Sequence, residues 1–352
     1  MEWVRGKTIG HGSFAAVSIA KPTNQCSRFP PLMAVKSCGV SHCDSLVNER
    51  MILEELKDCP EIIDCYGDSI TIENGKKLYN VALEYASGGA LSEKVKNSGG
   101  LRLSENEIRR FTNSIVKGLE FIHRNGYVHC DIKLQNVLLV CDDCGNDAVK
   151  IADFGLAKKT TTAAVESNSK YEIRGSPMYM APETVAGGEQ ESASDIWALG
   201  CLVTEMITGN PVWNCSDIGN LLMKIGVGTE IPEIPEKLSE EGKDFLGKCF
   251  LRDPTKRWTA DMLLDHPFVN TVSFKEEAEN QISPRDPFDF PDWESEQSCS
   301  VAPEFDSWFG EEQELEEFRS GSPSIPPATR LGQLLTDQTP NWSVSNSWVK
   351  VR

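Results

Sequence analysis

Positive charge is scarce in this sequence: its 352 residues carry 35 Lys and Arg against 53 Asp and Glu, a formal net charge of -18. Proteins that grip nucleic acid or an anionic membrane through a general electrostatic footprint need basic clusters, so that class is excluded and neutral or basic protein partners fit better. Long apolar runs are also missing. The longest, Ile196 to Ile207, is interrupted by Glu205 and falls short of the roughly 20 residues that span a bilayer, so no membrane insertion is expected. No secretory leader is evident, because Met1, Glu2 and Trp3 run directly into a strand-like segment. The twelve cysteines form no short secreted framework, which points to a reducing, intracellular address, cytoplasmic or nuclear, without a basic localisation cluster. No internal repeat is present.

What is there is a chain longer than a single hydrophobic core usually supports, so two packed lobes, or one domain plus a tail, are expected. Residues 3–86 read as a small, mostly β lobe, with Val, Ile and Leu runs broken by Gly, Pro and Asn and one helix over about 44–57. From Leu91 the periodicity turns helical. Ser104 to Glu107 reads as a capping box, followed by Ile108, Phe111, Ile115, Leu119 and Ile122 on one stripe. Residues 87–268 therefore form a larger helical lobe, and the fold class is α+β and bilobal. Beyond Phe268 the composition changes: residues 269–352 hold 16 Asp and Glu against 6 Lys and Arg, a net of -10. With its Ser and Pro content and four tryptophans, Trp293, Trp308, Trp342 and Trp348, this tail is expected to be disordered with aromatic anchors.

Three clusters carry chemistry. Gly10, His11 and Gly12, followed by Ser13, Phe14, Ala15, Ala16 and Val17, place two glycines between strand-like runs, which lets backbone amides approach phosphates; a plain hairpin turn explains such a pair equally well. Lys36, in Ala34-Val35-Lys36 on a half-buried strand, must set its ammonium against an anion unless it snorkels to the surface. Helical spacing of Leu46, Glu49, Leu53 and Leu56 puts Glu49 on an inward apolar face as its partner, while Glu54 and Glu55 turn away as solvated charges.

The densest signal runs from Val128 to Leu139, containing His129, Cys130, Asp131, Lys133 and Asn136, and is followed by Asp153-Phe154-Gly155 at the end of an apolar strand. Asp153 and Asn136 supply oxygen donors of the kind magnesium takes alongside substrate phosphates. In order, these motifs resemble the protein-kinase signature set across residues 3–268. The resemblance implies a glycine loop from Ile9 through Ala15 over the phosphates of ATP, Lys36 on the α/β-phosphates paired with Glu49, Asp131 accepting the substrate's hydroxyl proton, and Asn136 with Asp153 on Mg2+. Lys133 and Ser176 match the serine/threonine type, where the lysine neutralises the transferring phosphoryl group. It further implies Leu83 at the gatekeeper position, Glu84, Tyr85 and Ala86 as the hinge that bonds adenine, Val17, Ala34 and Leu138 around the ring, and Arg257 paired with Glu183. His129 then packs under Phe154 and is not the general base. More narrowly, the start Glu2 to Gly6, the hinge run Leu83 to Gly89 and the stretch Gly175 to Glu183 resemble plant mitogen-activated protein kinase kinase kinases of the MEKK type. That implies MAP kinase kinases as protein substrates, in stress or hormone signalling.

Two departures from the pattern matter. Ala15 replaces the third loop glycine and leaves the first two in place. Cys130 stands where the family usually has the arginine that pairs with a phosphorylated activation-loop residue. Phosphorylation of Thr160, Thr161, Thr162, Ser167 or Ser169 is therefore expected to change the active population less than in the usual switch, leaving control to abundance, to partners or to regulators bound at the tail. Cys141-Asp142-Asp143-Cys144 offers one thiol pair where zinc needs four ligands, and reads as a hairpin turn. Ser283-Pro284, Ser322-Pro323 and Thr339-Pro340 are candidate proline-directed sites. The alternatives are a kinase with another protein substrate class and a pseudokinase scaffold; the full set Lys36, Glu49, Asp131, Asn136 and Asp153 speaks against the second.

Overall fold

The computed structural model describes residues 2–12, 15–24, 29–97, 103–141, 147–160, 174–215 and 217–270. The calls on Ser13, Phe14, Thr161, Thr162, Ser167, Ser169, Asp142, Asp143, Cys144 and the tail lie outside the described residues.

The amino-terminal lobe is a five-stranded antiparallel sheet in the order β1-β2-β3-β5-β4, with β1 Trp3–His11, β2 Ala16–Pro22, β3 Met33–Gly39, β4 Cys65–Glu73 and β5 Lys76–Glu84. Strands β4 and β5 are joined by Asn74-Gly75, both at positive φ (49° and 76°), the backbone that a tight two-residue hairpin demands and that Asn and Gly tolerate. Alternation along β3 sorts its side chains. Met33 and Val35 join Trp3, Ala20 and Ala82 in one apolar cluster, while Ala34, Lys36 and Cys38 face the other way. Onto that second face packs helix α1, Asp44–Glu55, with Leu46, Glu49, Ile52 and Leu53 buried. The helix stops two residues short of Lys57, ahead of the Asp58-Cys59-Pro60 break, because a residue before proline is pushed out of the helical region.

In the carboxy-terminal lobe, α2 (Leu91–Asn97) is followed by α3 (Glu105–Arg124), which begins at the expected capping box: the Ser104 hydroxyl accepts from the Glu107 amide, and the Glu107 carboxylate accepts from the Ser104 amide. Such a cap contributes about 1 kcal/mol. The stripe from Ile108 to Ile122 is buried throughout. Helices α4 (Pro182–Val185), α5 (Ser192–Thr208), α6 (Ile218–Gly226), α7 (Glu240–Cys249) and α8 (Ala260–Leu264) complete it. Helix α5 is buried over most of its length, as its mixed apolar sequence requires. Arg257 donates two bonds to Glu183, at 2.6 and 2.9 Å, and lies over the Trp197 ring, so the pairing expected from the sequence is present. This lobe is not purely helical. It also holds the two-residue strands β6 (Gly89–Ala90), β7 (Tyr127–Val128) and β10 (Lys158–Lys159), and the hairpin β8 (Val137–Cys141) to β9 (Asp147–Ile151). The last pair of the hairpin is Cys141↔Asp147. Ile151 ties the lobes together, donating to the Glu61 carbonyl (2.7 Å) and accepting from Ile63 (3.0 Å). No helix among the described residues is long and apolar enough to cross a membrane.

Candidate active site

The segment Val128 to Asn136 is held from beneath by one carboxylate. Asp195, at the start of α5 and 1% exposed, accepts from the amides of His129 (2.8 Å) and Cys130 (3.0 Å) and bonds His123 Nε2 (2.9 Å). That support fixes Cys130 in the left-handed region, φ 68°, a conformation that a non-glycine residue keeps only when its surroundings enforce it. Gly175, φ 101°, sits so close that a Cβ on it would lie 2.3 Å from the Cys130 carbonyl oxygen; only glycine lets the two segments meet. The His129 ring packs edge-on against Phe154 with centroids 4.8 Å apart. Its Nδ1 accepts from the Asp131 amide (3.3 Å), so Nε2 carries the proton and donates to the Ala152 carbonyl (3.2 Å). Burial lowers the His129 pKa against the pull of Asp195 and Asp131, and both ring nitrogens are engaged. His129 is structural, as expected.

Asp131, 8% exposed, gathers donors on both oxygens. Oδ1 accepts from the Ser176 amide and hydroxyl, each at 2.9 Å; Oδ2 meets Lys133 Nζ at 2.7 Å and Asn136 Nδ2 at 3.0 Å. Lys133 also donates to Ser176 Oγ at 2.9 Å. Asn136 spends its amide nitrogen on the Asp131 carbonyl and carboxylate, while its Oδ1 is buried with no hydrogen-bond donor among the described residues. A buried acceptor without a partner is costly unless something fills the place. Asp153, at φ 67°, is a second oxygen donor on the same cleft.

Across the cleft, Lys36 Nζ reaches Glu49 Oε2 at 2.6 Å and Asp153 Oδ1 at 2.8 Å. Burial opposes its charge, but the attraction of Glu49 and then of Asp153 raises its pKa above the ordinary 10.5. Burial pushes Asp153 up, yet Lys36 wins and holds its carboxyl below 3.8; in Glu49 burial prevails and raises it. Gly12, Lys36, Glu49, Asp131, Lys133 and Asp153 line one cavity. Gly10 is buried, Ile9, Gly12 and Ala15 are half-buried, His11 is exposed, and the Gly12 amide closes the loop onto the Ala15 carbonyl at 2.7 Å. Val17, Ala34 and Leu83 are buried and neighbouring in the sheet register, with Leu138 half-buried. Glu84 ends β5 and Tyr85 and Ala86 follow it; the Glu84 amide donates to the Asp64 carbonyl, and its carboxylate pairs with Lys150 at 2.7 Å.

Several contributors were not legible from motif order. Ser45 and Asn48 on α1 donate to the carbonyls of Gly155 and Ala157, both at 3.0 Å, tying that helix to the segment after Asp153. Gln190 donates to the carbonyls of Cys130 and Arg174. Glu55, read as merely solvated, is exposed but accepts from the Tyr127 hydroxyl at 2.7 Å. Cys130 is buried, which pushes its thiol well up, and Lys158 nearby in the fold lies 3.8 and 3.9 Å from Glu189 and Glu191.

A two-lobed fold with one lysine between two carboxylates, and an aspartate among lysine, serine and asparagine donors, defines a phosphoryl-transfer scaffold. The protein kinase domain model matches residues 3–269, and the chain belongs to the protein kinase family as a serine/threonine-type member. It is 47% identical to mitogen-activated protein kinase kinase kinase 20 of Arabidopsis thaliana across the whole of both chains. It is 41% identical to kinase kinase kinases 17 and 18 of the same plant, over 77% and 76% of this chain and 70% and 78% of theirs.

Proposed function

We propose that this kinase transfers the γ-phosphoryl group of ATP to serine and threonine hydroxyls of MAP kinase kinases. The observation that carries the reading is the Asp131 carboxylate, with Ser176, Lys133 and Asn136 on it, facing the Lys36–Glu49–Asp153 group across one cleft. Asp131 takes the proton of the acceptor hydroxyl, and Ser176 holds that carboxylate in place. Lys133, already bridging Asp131 and Ser176, offsets the negative charge that grows on the phosphoryl oxygens. Lys36 positions the α/β-phosphates, and the hinge Glu84 to Ala86 takes the adenine.

The donor set fits a divalent cation: Asn136, bonded to Asp131, keeps a buried Oδ1 without a donor among the described residues, and Asp153 lines the same cavity as Asp131 with its carboxyl held below the ordinary value by Lys36. Mg2+ held there would neutralise phosphate charge and orient ATP. With Cys130 in place of arginine, activation-loop phosphate has no guanidinium there to pair with and shifts the active population less than in the usual switch. A pseudokinase is disfavoured because each of the five expected groups is present and engaged. The names of the similar kinases support the substrate class.

The test is labelled phosphate transfer from ATP by the purified full chain to a panel of catalytically dead MAP kinase kinases, before and after phosphatase treatment, with Lys36→Met as control. Transfer that survives phosphatase and vanishes in the variant is expected. Transfer to other proteins but to no member of the panel would reject the substrate class, and loss on phosphatase treatment would reject the claim about Cys130.

A further inference from the structure

The connection between α4 and α5 touches the activation loop on both of its sides. Its own frame is fixed. The Gly188 amide donates to the Glu183 carbonyl at 2.8 Å, and the Glu191 carbonyl accepts from the Ser194 amide (2.8 Å) and hydroxyl (2.6 Å) at the start of α5. Between these anchors stand Glu189, Gln190 and Glu191. Gln190 Nε2 donates to the carbonyl of Cys130 (3.3 Å), beside the catalytic Asp131, and to that of Arg174 (3.4 Å), where the activation loop returns to Gly175. The two glutamates meet the loop where it departs. Strand β10 pairs with β7 just ahead of Cys130, with Lys158 opposite Val128, and the Lys158 ammonium lies 3.8 Å from Glu189 and 3.9 Å from Glu191.

Phosphorylation orders a loop of this kind by supplying an anion for basic groups to meet. A phosphorylated side chain carries about -1.5 to -2 charges at neutral pH, and a pair of ionised carboxylates carries a similar amount. Lys158 and Arg174 are the cations whose field reaches Cys130; position 130 itself adds none, its thiol being turned onto the Val128 carbonyl at 3.6 Å. Lys158 already has two anions in front of it, both from the chain itself. A phosphate brought to the same place would meet like charge. Ion pairs as exposed as these contribute little to global stability, so their effect falls on where the ends of the activation loop rest.

We propose that Glu189 and Glu191 are positioning residues that stand in for an activation-loop phosphate: their carboxylates hold Lys158 while Gln190 holds the backbone at Cys130 and Arg174, so that Asp131 and Ser176 stay in register without modification. This rests on the reading of Cys130 above. The test uses the full chain after phosphatase treatment and the acceptor it labels best, so the substrate class does not enter. The combined Glu189→Gln and Glu191→Gln variant is compared with Lys158→Gln, with all three changes together, and with the charge exchange Lys158→Glu, Glu189→Lys and Glu191→Lys. The paired glutamine variant should lose about fivefold in kcat at unchanged Tm and KM for ATP, with no further loss on adding Lys158→Gln and recovery of most of the activity in the charge exchange. Wild-type kcat should also fall towards the variant's as salt is raised, while the variant stays level. An undiminished kcat in the paired variant would overturn the proposal, as would independent, additive losses. A loss that follows a lower Tm and is not recovered by the exchange would overturn it too, assigning the glutamates to fold stability. Wild-type activity that disappears on phosphatase treatment is seen before any variant is made; it removes the reading of Cys130 and this proposal with it.

Discussion

On the nucleotide side of the cleft one ammonium, Lys36, is shared by two carboxylates that come from α1 and from the end of β9; on the acceptor side one carboxylate, Asp131, is shared by donors from Lys133, Ser176 and Asn136. The first is an ion-pair cluster strung between separate elements. The second sits on a loop whose backbone is bolted to α5 through Asp195. Charge alone can hold the Lys36 side, whose groups, in the proposed reaction, meet phosphates and exchange partners with them. The acceptor side needs a fixed direction for a proton, and backbone hydrogen bonds supply direction where ion pairs supply mainly distance.

The largest break in this comparison should come from Asp131→Asn. The amide keeps the shape but cannot take the proton, so kcat should fall by roughly 10²–10⁴-fold with ATP affinity little changed; a loss under tenfold would displace Asp131 from its role. Next are Asp195→Ala and Glu49→Gln taken together. Removing Asp195 strands two buried amides and releases the strained Cys130, and should destabilise the protein by about 3–5 kcal/mol, seen as a lower Tm along with lost turnover. Glu49→Gln retains an acceptor for Lys36, which also keeps Asp153, so its effect on Tm should be smaller and should fall on ATP binding. Equal thermal losses would mean that the two sides are held alike.

The smallest effect sharpens the acceptor side through pH. Burial lowers the His129 pKa below its ordinary 6.5. The unfolded chain therefore binds the proton first, and the contribution to stability is complete above 6.5 and declines as pH falls below it. One such proton sets a limit of about 1.4 kcal/mol per pH unit. The measurement is the ring resonance of His129 on acidification: it should stay at its neutral position through 6.5 while Tm begins to drop. Titration of the folded protein at the ordinary value would mean that the loop is wetter than the packing against Phe154 implies.

Much of this was readable in the sequence where a local pattern carries the physics. Glu49 was placed by its 3.6-residue period alone, and the Ser104 cap by residue types three apart; Lys36, Asp131, Asn136 and Asp153 stood in a recognisable order and converge as that order implied. What escaped was non-local or too short. The bonds from Asp195 to the His129 and Cys130 amides cross 66 and 65 residues, and no spacing rule links a carboxylate to the backbone of a distant loop. Ser45 and Asn48 look like ordinary surface residues of a helix until the segment they bond is in place. Strands β6, β7 and β10 have two residues each, too few for alternation to register.

The tie between α1 and the segment that follows Asp153 has a bearing on how this enzyme can be turned off. Ser45, Asn48 and, through Lys36, Glu49 connect the helix to that segment at three points. A shift of the helix large enough to break one bond strains the other two, so the Lys36 ammonium and the Asp153 carboxylate leave their places in a single event. Repressors of this kinase that work through α1 should thus act as a latch, dividing molecules into competent and incompetent populations instead of slowing every molecule by degrees.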